Sequence, residues 1–99
     1  MLDTLSYEDF AAQIGTKFAV MDAPVPLELE LAVITERQAT TRQEYFSLIF
    51  RGSRDFVLPQ RIYQLEHEQL GAGALFLVPI SANADAAEYE AAFNRLIGD

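Results

Sequence analysis

Four short apolar segments at close spacing dominate the second half of this chain and limit what it can fold into. They begin at Phe46 and end at Asn94, and they read FSLIFRG, LPQRIYQLEHEQLG, LFLVPI and YEAAFN. Each is rich in aromatic and branched side chains, and Gly, Pro or polar clusters separate them. Runs of this composition and spacing are typical of antiparallel strands joined by short loops. The pattern therefore predicts an architecture, but it carries no catalytic motif.

A regular alternation in the first half adds another strand. Leu27, Leu29, Leu31 and Val33 fall on one face of the segment 27–34. Successive side chains of a strand point to opposite faces, so this alternation predicts a strand with one buried side. We expect further strands in four segments, which are residues 17–21, 44–51, 61–67 and 74–80.

Two segments allow more specific predictions. The run from Ala74 to Ile80 is apolar at every position, which predicts a strand covered on both faces or central in its sheet. Residues 36–43 are polar and without period, which predicts a loop.

The last segment is ambiguous between two structures. Tyr89, Ala91 and Phe93 alternate as in a strand, whereas the spacing of Tyr89, Phe93 and Leu96 also fits a helical stripe. Residues 88–97 are therefore left open between strand and helix.

The amino terminus has the signature of a short helix. Ser6 and Asp9 have a spacing close to that of a capping box. Phe10 and Ile14 lie on one predicted stripe, and Gly15 provides a stop. We expect this helix to close one end of a small β core.

The predicted fold is mainly β: one small antiparallel β-barrel or sandwich of about six strands with one short N-terminal helix. A length of 99 residues corresponds to one domain, spanning 1–99. Its helical part is 1–15 and its β core is 17–94. The apolar face of each alternating segment predicts the core, which is Leu27, Leu29, Leu31, Phe46, Leu48, Phe50, Leu65, Leu77 and Phe93.

Composition excludes several classes of function. The chain has no Cys and one His, so disulfides and thiolate or multi-histidine metal sites are excluded. A net charge of −8 argues against nucleic-acid and anionic-membrane partners, because both require a basic surface. No run approaches the roughly 18 apolar residues of a membrane span, and MLDTLSYEDF lacks a secretory signal. We expect no membrane insertion, and a cytoplasmic location by default.

The charge is unevenly distributed along the chain. Residues 1–35 carry one Lys against six acids, and residues 62–99 carry one Arg against six acids. Residues 36–61 carry five Arg against three acids. Such asymmetry can direct an acidic partner or a second copy to one face. The candidate interaction surface is formed by Arg42, Arg51, Arg54 and Arg61; the alternative is that these residues are scattered and solvated.

The four quoted segments together resemble a family of short bacterial domains of unknown function. Members of that family read FSLLFRGP, LPQGTYRLEHPELG, LELFLVP and RYEAVFN, and the resemblance covers roughly residues 18–94. The chain departs from the pattern at Arg61, where the family has Gly, at Glu68, where Pro is common, and at Ala74. The resemblance implies a small, mostly β domain and a strand at residues 88–94. It also implies an association with phage-tail-like or collar-like fibre proteins, and it implies no activity, substrate or cofactor.

His67 and two glutamates are the residues closest to a catalytic pattern. A His between Glu66 and Glu68 could act as a base or a pH sensor, but neighbours in a strand point to opposite faces. We expect the His67 ring to bond the backbone of the following turn. Glu28 and Glu30 share a strand face about 7 Å apart, as glycosidase carboxylates can, and a solvated strand face explains them equally well.

A calcium site is the remaining alternative. Asn83, Asp85, Glu88 and Glu90 carry suitable oxygens, but their spacing matches no calcium loop, and Asn-Ala-Asp is ordinary turn chemistry. We therefore expect neither a metal nor a cofactor.

These observations predict a non-enzymatic interaction or structural module. The expected role is a small accessory subunit of a larger bacterial assembly, of phage-tail-like or fibre type, with a protein partner or self-association. The alternative is a small-molecule-binding or weakly enzymatic β-barrel. A binding barrel should enclose a cavity with convergent polar groups, whereas an assembly module should have a filled core and an exposed apolar or edge-strand surface.

Overall fold

The computed structural model describes residues 1–97, which are mainly β. A 3-10 turn (Leu2–Thr4) and one short helix, α1 (Tyr7–Ala11), precede the strands. This part of the chain has seven strands, which are β1 (Lys17–Val20), β2 (Leu27–Ile34), β3 (Gln38–Ala39), β4 (Gln43–Gly52), β5 (Arg61–His67), β6 (Gly71–Ala82) and β7 (Ala87–Leu96).

Six of these strands form a closed antiparallel barrel. The order of neighbours is β2-β1-β5-β6-β7-β4, and β2 also pairs with β4, which closes the sheet. The extra strand β3 pairs with β4 beyond the last β2 pair, so it continues along the same edge. The predicted small antiparallel barrel with one N-terminal helix is confirmed. The ambiguous last segment is a strand, because β7 pairs with β4 over ten consecutive positions.

The predicted core is almost entirely buried. Eight of the nine predicted residues are buried, and Leu27 is half-buried against the same cluster. Val33 was wrongly expected on the inner face, because the β2–β4 register shifts between Leu31 and Val33. The extra residue, Ala32, forms a β-bulge that turns the alternation round. Val33 therefore points outward, and Ile34 packs against the core.

Of the two alternatives for the apolar run in β6, the central position in the sheet is confirmed, since β5 and β7 pair with it on either side. It is not covered on both faces: Leu75 and Leu77 are buried, whereas Phe76 between them is exposed. Only the inner face of a barrel strand is buried in the core, and within residues 1–97 no second layer covers the outer face of β6. The stretch expected to be a loop, residues 36–43, contains β3. Ile14 is exposed because α1 already ends at Ala11.

Residues 1–15 close one end of the barrel, called here the amino-terminal end. The capping box is present, since Ser6 and Asp9 exchange hydrogen bonds between side chain and backbone. Phe10 is fully buried, with its ring centroid 5.4 Å from that of Phe93. Leu2 packs over Gly73 so closely that a Cβ at this position would clash with the Leu2 backbone nitrogen.

The link between β4 and β5, residues 53–60, closes the opposite end, called here the connection end. Leu58 in this link is fully buried. The Tyr89 hydroxyl accepts a 2.9 Å hydrogen bond from the Leu58 backbone N–H. The Tyr63 hydroxyl donates to the Pro59 carbonyl. Side chains and both closing segments therefore fill the interior of the barrel.

Candidate functional site

The four predicted arginines are not brought together on one face. Arg42 lies in the turn between β3 and β4, and Arg51 lies nine residues further on, near the end of β4. At about 3.3 Å per residue, the two are roughly 30 Å apart. Arg54 lies in the β4–β5 link and Arg61 begins β5. Arg42 is therefore remote from Arg51 on the barrel.

Two of these arginines are already engaged within the chain. Arg51 Nη2 lies 3.0 Å from Glu88 Oε2, and its hydrogen bond lowers the pKa of Glu88. Arg61 Nη1 lies 3.4 Å from Asp22 Oδ2, and its guanidinium stacks 4.1 Å above the Tyr63 ring centroid. These pairs reduce the positive character of the connection end. The arginine surface stays a prediction.

His67 bonds the backbone of the following turn, as expected. Its Nδ1 accepts hydrogen bonds from the N–H groups of Gln69, at 3.0 Å, and Leu70, at 3.1 Å. An Nδ1 that accepts is unprotonated, so the neutral ring carries its proton on Nε2. That nitrogen donates to Thr16 Oγ1 at 2.8 Å. Burial lowers the pKa of His67, while the nearby Glu68 carboxylate acts in the opposite direction.

The glutamates of β2 lie on an open outer surface. Ala19 on β1 is paired with Glu28 of β2 on one side and with Glu66 of β5 on the other. The two glutamates therefore lie on either side of Ala19 on the outer surface. Glu30 is paired with Lys17 in the same sheet. We refer to Glu28, Glu30 and Glu66 as the acidic wall. An open depression in this strand surface is bordered by Glu28 and Glu66.

The proposed calcium ligands are distributed among other contacts. Asn83 Oδ1 accepts from the N–H groups of Asp85 and Ala86, which is ordinary turn chemistry. Glu88 bonds Arg51 and Ser81. Among residues 1–97, no three His, Asp or Glu side chains are grouped closely enough to hold a metal ion.

An ionic cluster around the buried Glu44, at the amino-terminal end, was missed from the sequence. Glu44 and Arg95 are direct cross-strand partners, with Arg95 Nε 3.0 Å from Glu44 Oε2. Arg37 Nε lies 2.6 Å from the other carboxylate oxygen, and its hydrogen bond is the main reason the pKa of Glu44 is lowered. Arg95 also donates to the carbonyls of Asp3 and Leu5, which fastens the first residues to the barrel.

Exposed and half-buried apolar residues form a second group on the outer surface of the barrel. Ile62 and Phe76 are direct cross-strand partners and are 58% and 49% exposed. Val33, itself 49% exposed, pairs with Ile49. Val78 lies two residues from Phe76 on the same outer face of β6. We refer to Val33, Ile49, Ile62, Phe76 and Val78 as the apolar wall.

Glu90 lies in the middle of the apolar wall. Its cross-strand partners are Ile49 on β4 and Val78 on β6. The Ser47 hydroxyl donates a 2.6 Å hydrogen bond to Glu90 Oε2. The neighbouring Ala92 is small, so shallow depressions border it, one beside Phe76 and one beside Tyr45.

The apolar wall could be predicted only in part from the amino-acid sequence. Phe76 lies within an apolar run and Ile62 beside alternating polar residues, but their contact depends on the β5–β6 register. Val33 reaches the outer surface only through the bulge in β2. Charge and alternation within one segment therefore could not identify the wall.

Comparisons with known proteins support a family assignment without a function. No helix in residues 1–97 is long and apolar enough to cross a membrane. Searches of curated proteins and of solved structures gave no match to the chain. A family model described as a domain of unknown function, DUF6916, matches residues 5–93. Because this match covers most of the 99 residues, the chain belongs to the DUF6916 family.

Proposed function

We propose that the protein is a non-enzymatic interaction module that contacts a protein partner through the apolar wall. It would act as a small accessory subunit of a larger bacterial assembly, of the phage-tail-like or fibre type that the family resemblance implies. The observation that carries this proposal is the exposed cross-strand pair Ile62 and Phe76, at 58% and 49% exposure. Contiguous apolar surface of this kind marks protein contact sites on soluble domains.

The packed interior of the barrel also supports an interaction module over a ligand-binding barrel. Inward positions of β4 and β7 are occupied by packed side chains, such as the stacked Phe46 and Phe93 rings, whose centroids are 4.9 Å apart. The buried polar residues His67 and Glu44 both bond groups that hold the fold together. A ligand-binding barrel would instead direct several polar groups into a shared cavity.

The shape of the wall also suits a protein contact. The small Ala92 leaves depressions beside Phe76 and Tyr45, into which partner side chains could fit. Exposed aromatic side chains next to small recesses are common at the centres of protein interfaces.

The test is a comparison of two double variants in the native host. Ile62→Thr with Phe76→Thr removes the apolar wall, whereas Ile14→Thr with Val25→Thr changes exposed apolar residues elsewhere. Tagged versions are purified and their co-purifying proteins quantified by mass spectrometry, after melting curves show that both are folded. We expect the first variant to lose proteins that wild type and the control retain. The same proteins on all three would contradict a contact at this wall.

A further inference from the structure

The carboxylate of Glu90 is held in place but is not neutralised. Ser47 is buried and donates its hydroxyl hydrogen bond to Glu90 Oε2, so the side chain has a fixed orientation. Glu90 has no ion pair among residues 1–97, and its side chain is half-buried between Ile49 and Val78. An oriented carboxylate between apolar neighbours has the features of a recognition group.

The other carboxylates on the same two strands differ from Glu90. Glu44 on β4 is bonded by two arginines, and Glu88, two residues before Glu90, is bonded by Arg51. The strand register places Arg95 opposite Glu44 and Arg51 opposite Glu88. It places Ile49 and Val78 opposite Glu90. Within residues 1–97, Glu90 therefore lacks the intramolecular base that Glu44 and Glu88 have.

We propose that Glu90 is the specificity-determining residue of the apolar wall and binds an arginine or lysine side chain of a different, basic protein. This inference rests on the proposed function. A basic side chain set among apolar ones would gain a charge-assisted hydrogen bond from Glu90 while its neighbours pack on the wall.

Charge complementarity identifies the occupant as a different protein. Two copies of this chain would each carry a net charge of −8. In a two-fold symmetric contact centred on Glu90 the same patch faces itself, so the two Glu90 carboxylates would approach each other. Like charges across an interface are unfavourable. A partner with basic and apolar side chains removes that repulsion and completes the ion pair.

The first test uses two defined probes. Two synthetic 12-residue peptides alternate leucine with either lysine or glutamate, and their binding is followed by the amide NMR signals of the isotopically labelled protein. We expect the leucine–lysine peptide to shift signals of β4, β6 and β7. Glu90→Gln keeps a hydrogen-bond acceptor for Ser47 and should weaken this binding at least about tenfold.

Glu66→Gln is the matched control, since it removes the same charge from the acidic wall. We expect it to weaken binding less than about twofold, because Glu66 lies four residues from Ile62 along β5, and an exposed charge at about 13 Å is largely screened by salt. Equal weakening by both variants, shifts confined to β1 and β2, or equal binding of the leucine–glutamate peptide would each overturn the inference.

The second test identifies the occupant in the host. A photo-crosslinking amino acid is placed at Phe76, or at Lys17 near the acidic wall. An adduct at Phe76 with a different protein whose crosslinked peptide contains Lys or Arg supports the inference. An adduct with a second copy, or with a segment lacking basic residues, overturns it but leaves an interaction module intact. Absence of any adduct from both positions overturns the proposed function as well.

Discussion

The two ends of the barrel are closed by different means. At the amino-terminal end, residues 1–15 are anchored by Phe10, by the cluster of Glu44 with two arginines, and by the turn that His67 organises. At the connection end, residues 53–60 are covalently held between two strands and need mainly Leu58 and two tyrosine hydroxyls.

The difference follows from chain entropy. A terminal segment is tethered on one side only, so ordering it costs more conformational freedom than ordering a link whose two ends are already fixed. Aromatic packing and charged hydrogen bonds together offset that cost at the amino-terminal end. That end also contains His67, whose ordinary pKa of 6.5 lies above that of the carboxylates, so acid should act there first.

The largest expected effect comes from the aromatic anchor. Phe10→Ala should lower the free energy of unfolding by about 3–5 kcal/mol, because it removes a fully buried ring. Urea denaturation measures the loss. Hydrogen exchange should speed up in α1 and around Gly73, whereas Leu58→Ala should speed it up near residues 53–60. A loss below about 1 kcal/mol for Phe10→Ala would show that the terminal segment contributes little.

The ionic cluster should contribute the next largest amount. Arg95→Met removes hydrogen bonds to Glu44 and to the carbonyls of Asp3 and Leu5, and should cost about 2 kcal/mol. Arg51→Met removes a more exposed ion pair and should cost less than about 1 kcal/mol. Thermal and urea unfolding of the two variants give the comparison. Equal losses of unfolding free energy would mean that the burial of Glu44 adds no stability to its ion pair.

At the connection end, Tyr89→Phe should cost about 1–2 kcal/mol. The change leaves the backbone N–H of Leu58 without its acceptor in a buried place. Tyr45→Phe is the control, since its hydroxyl bonds the Gln43 side chain at the exposed surface, and it should change stability by less than about 0.5 kcal/mol. Urea denaturation of both variants is the measurement. Indistinguishable free energies of unfolding would show that the Tyr89 hydroxyl does not help to hold residues 53–60 in place.

The smallest effect is a pH dependence confined to the amino-terminal end. The pKa of His67 is lowered in the folded state, so below the ordinary value of 6.5 the unfolded chain binds more protons than the folded one. Stability from the neutral ring is thus fully present above about pH 6.5 and is lost as pH falls towards the folded-state pKa. The slope cannot exceed about 1.4 kcal/mol per pH unit for one proton.

His67→Gln tests this dependence. Urea denaturation at pH 7.5 and pH 5.5 should show wild type losing up to about 1 kcal/mol more than the variant. At pH 7.5 the two should be similar, since a glutamine oxygen can also accept from the turn. A pH dependence that persists unchanged in His67→Gln would assign it to other groups.

Much of the fold could be predicted from local patterns. The capping box at Ser6, the strands at 27–34 and 61–67, and eight buried core residues all depend on spacing within one segment. The direction of the His67 ring was predictable for the same reason, because its partners follow it within three residues. The arginine surface was a weaker inference, since it assumed that residues close in sequence share a face.

The amino-acid sequence by itself determined the strands, the helix cap and the apolar side of most segments, because these depend on side-chain periodicity and on groups a few residues apart. Only the tertiary structure decided that the sheet closes, that Val33 faces outward, that Glu44 meets Arg95, and that Glu90 has Ile49 and Val78 as its cross-strand partners. Those outcomes depend on the register between strands far apart in sequence. A bulge or a shift of one residue reverses which side chains meet, and no local pattern encodes it.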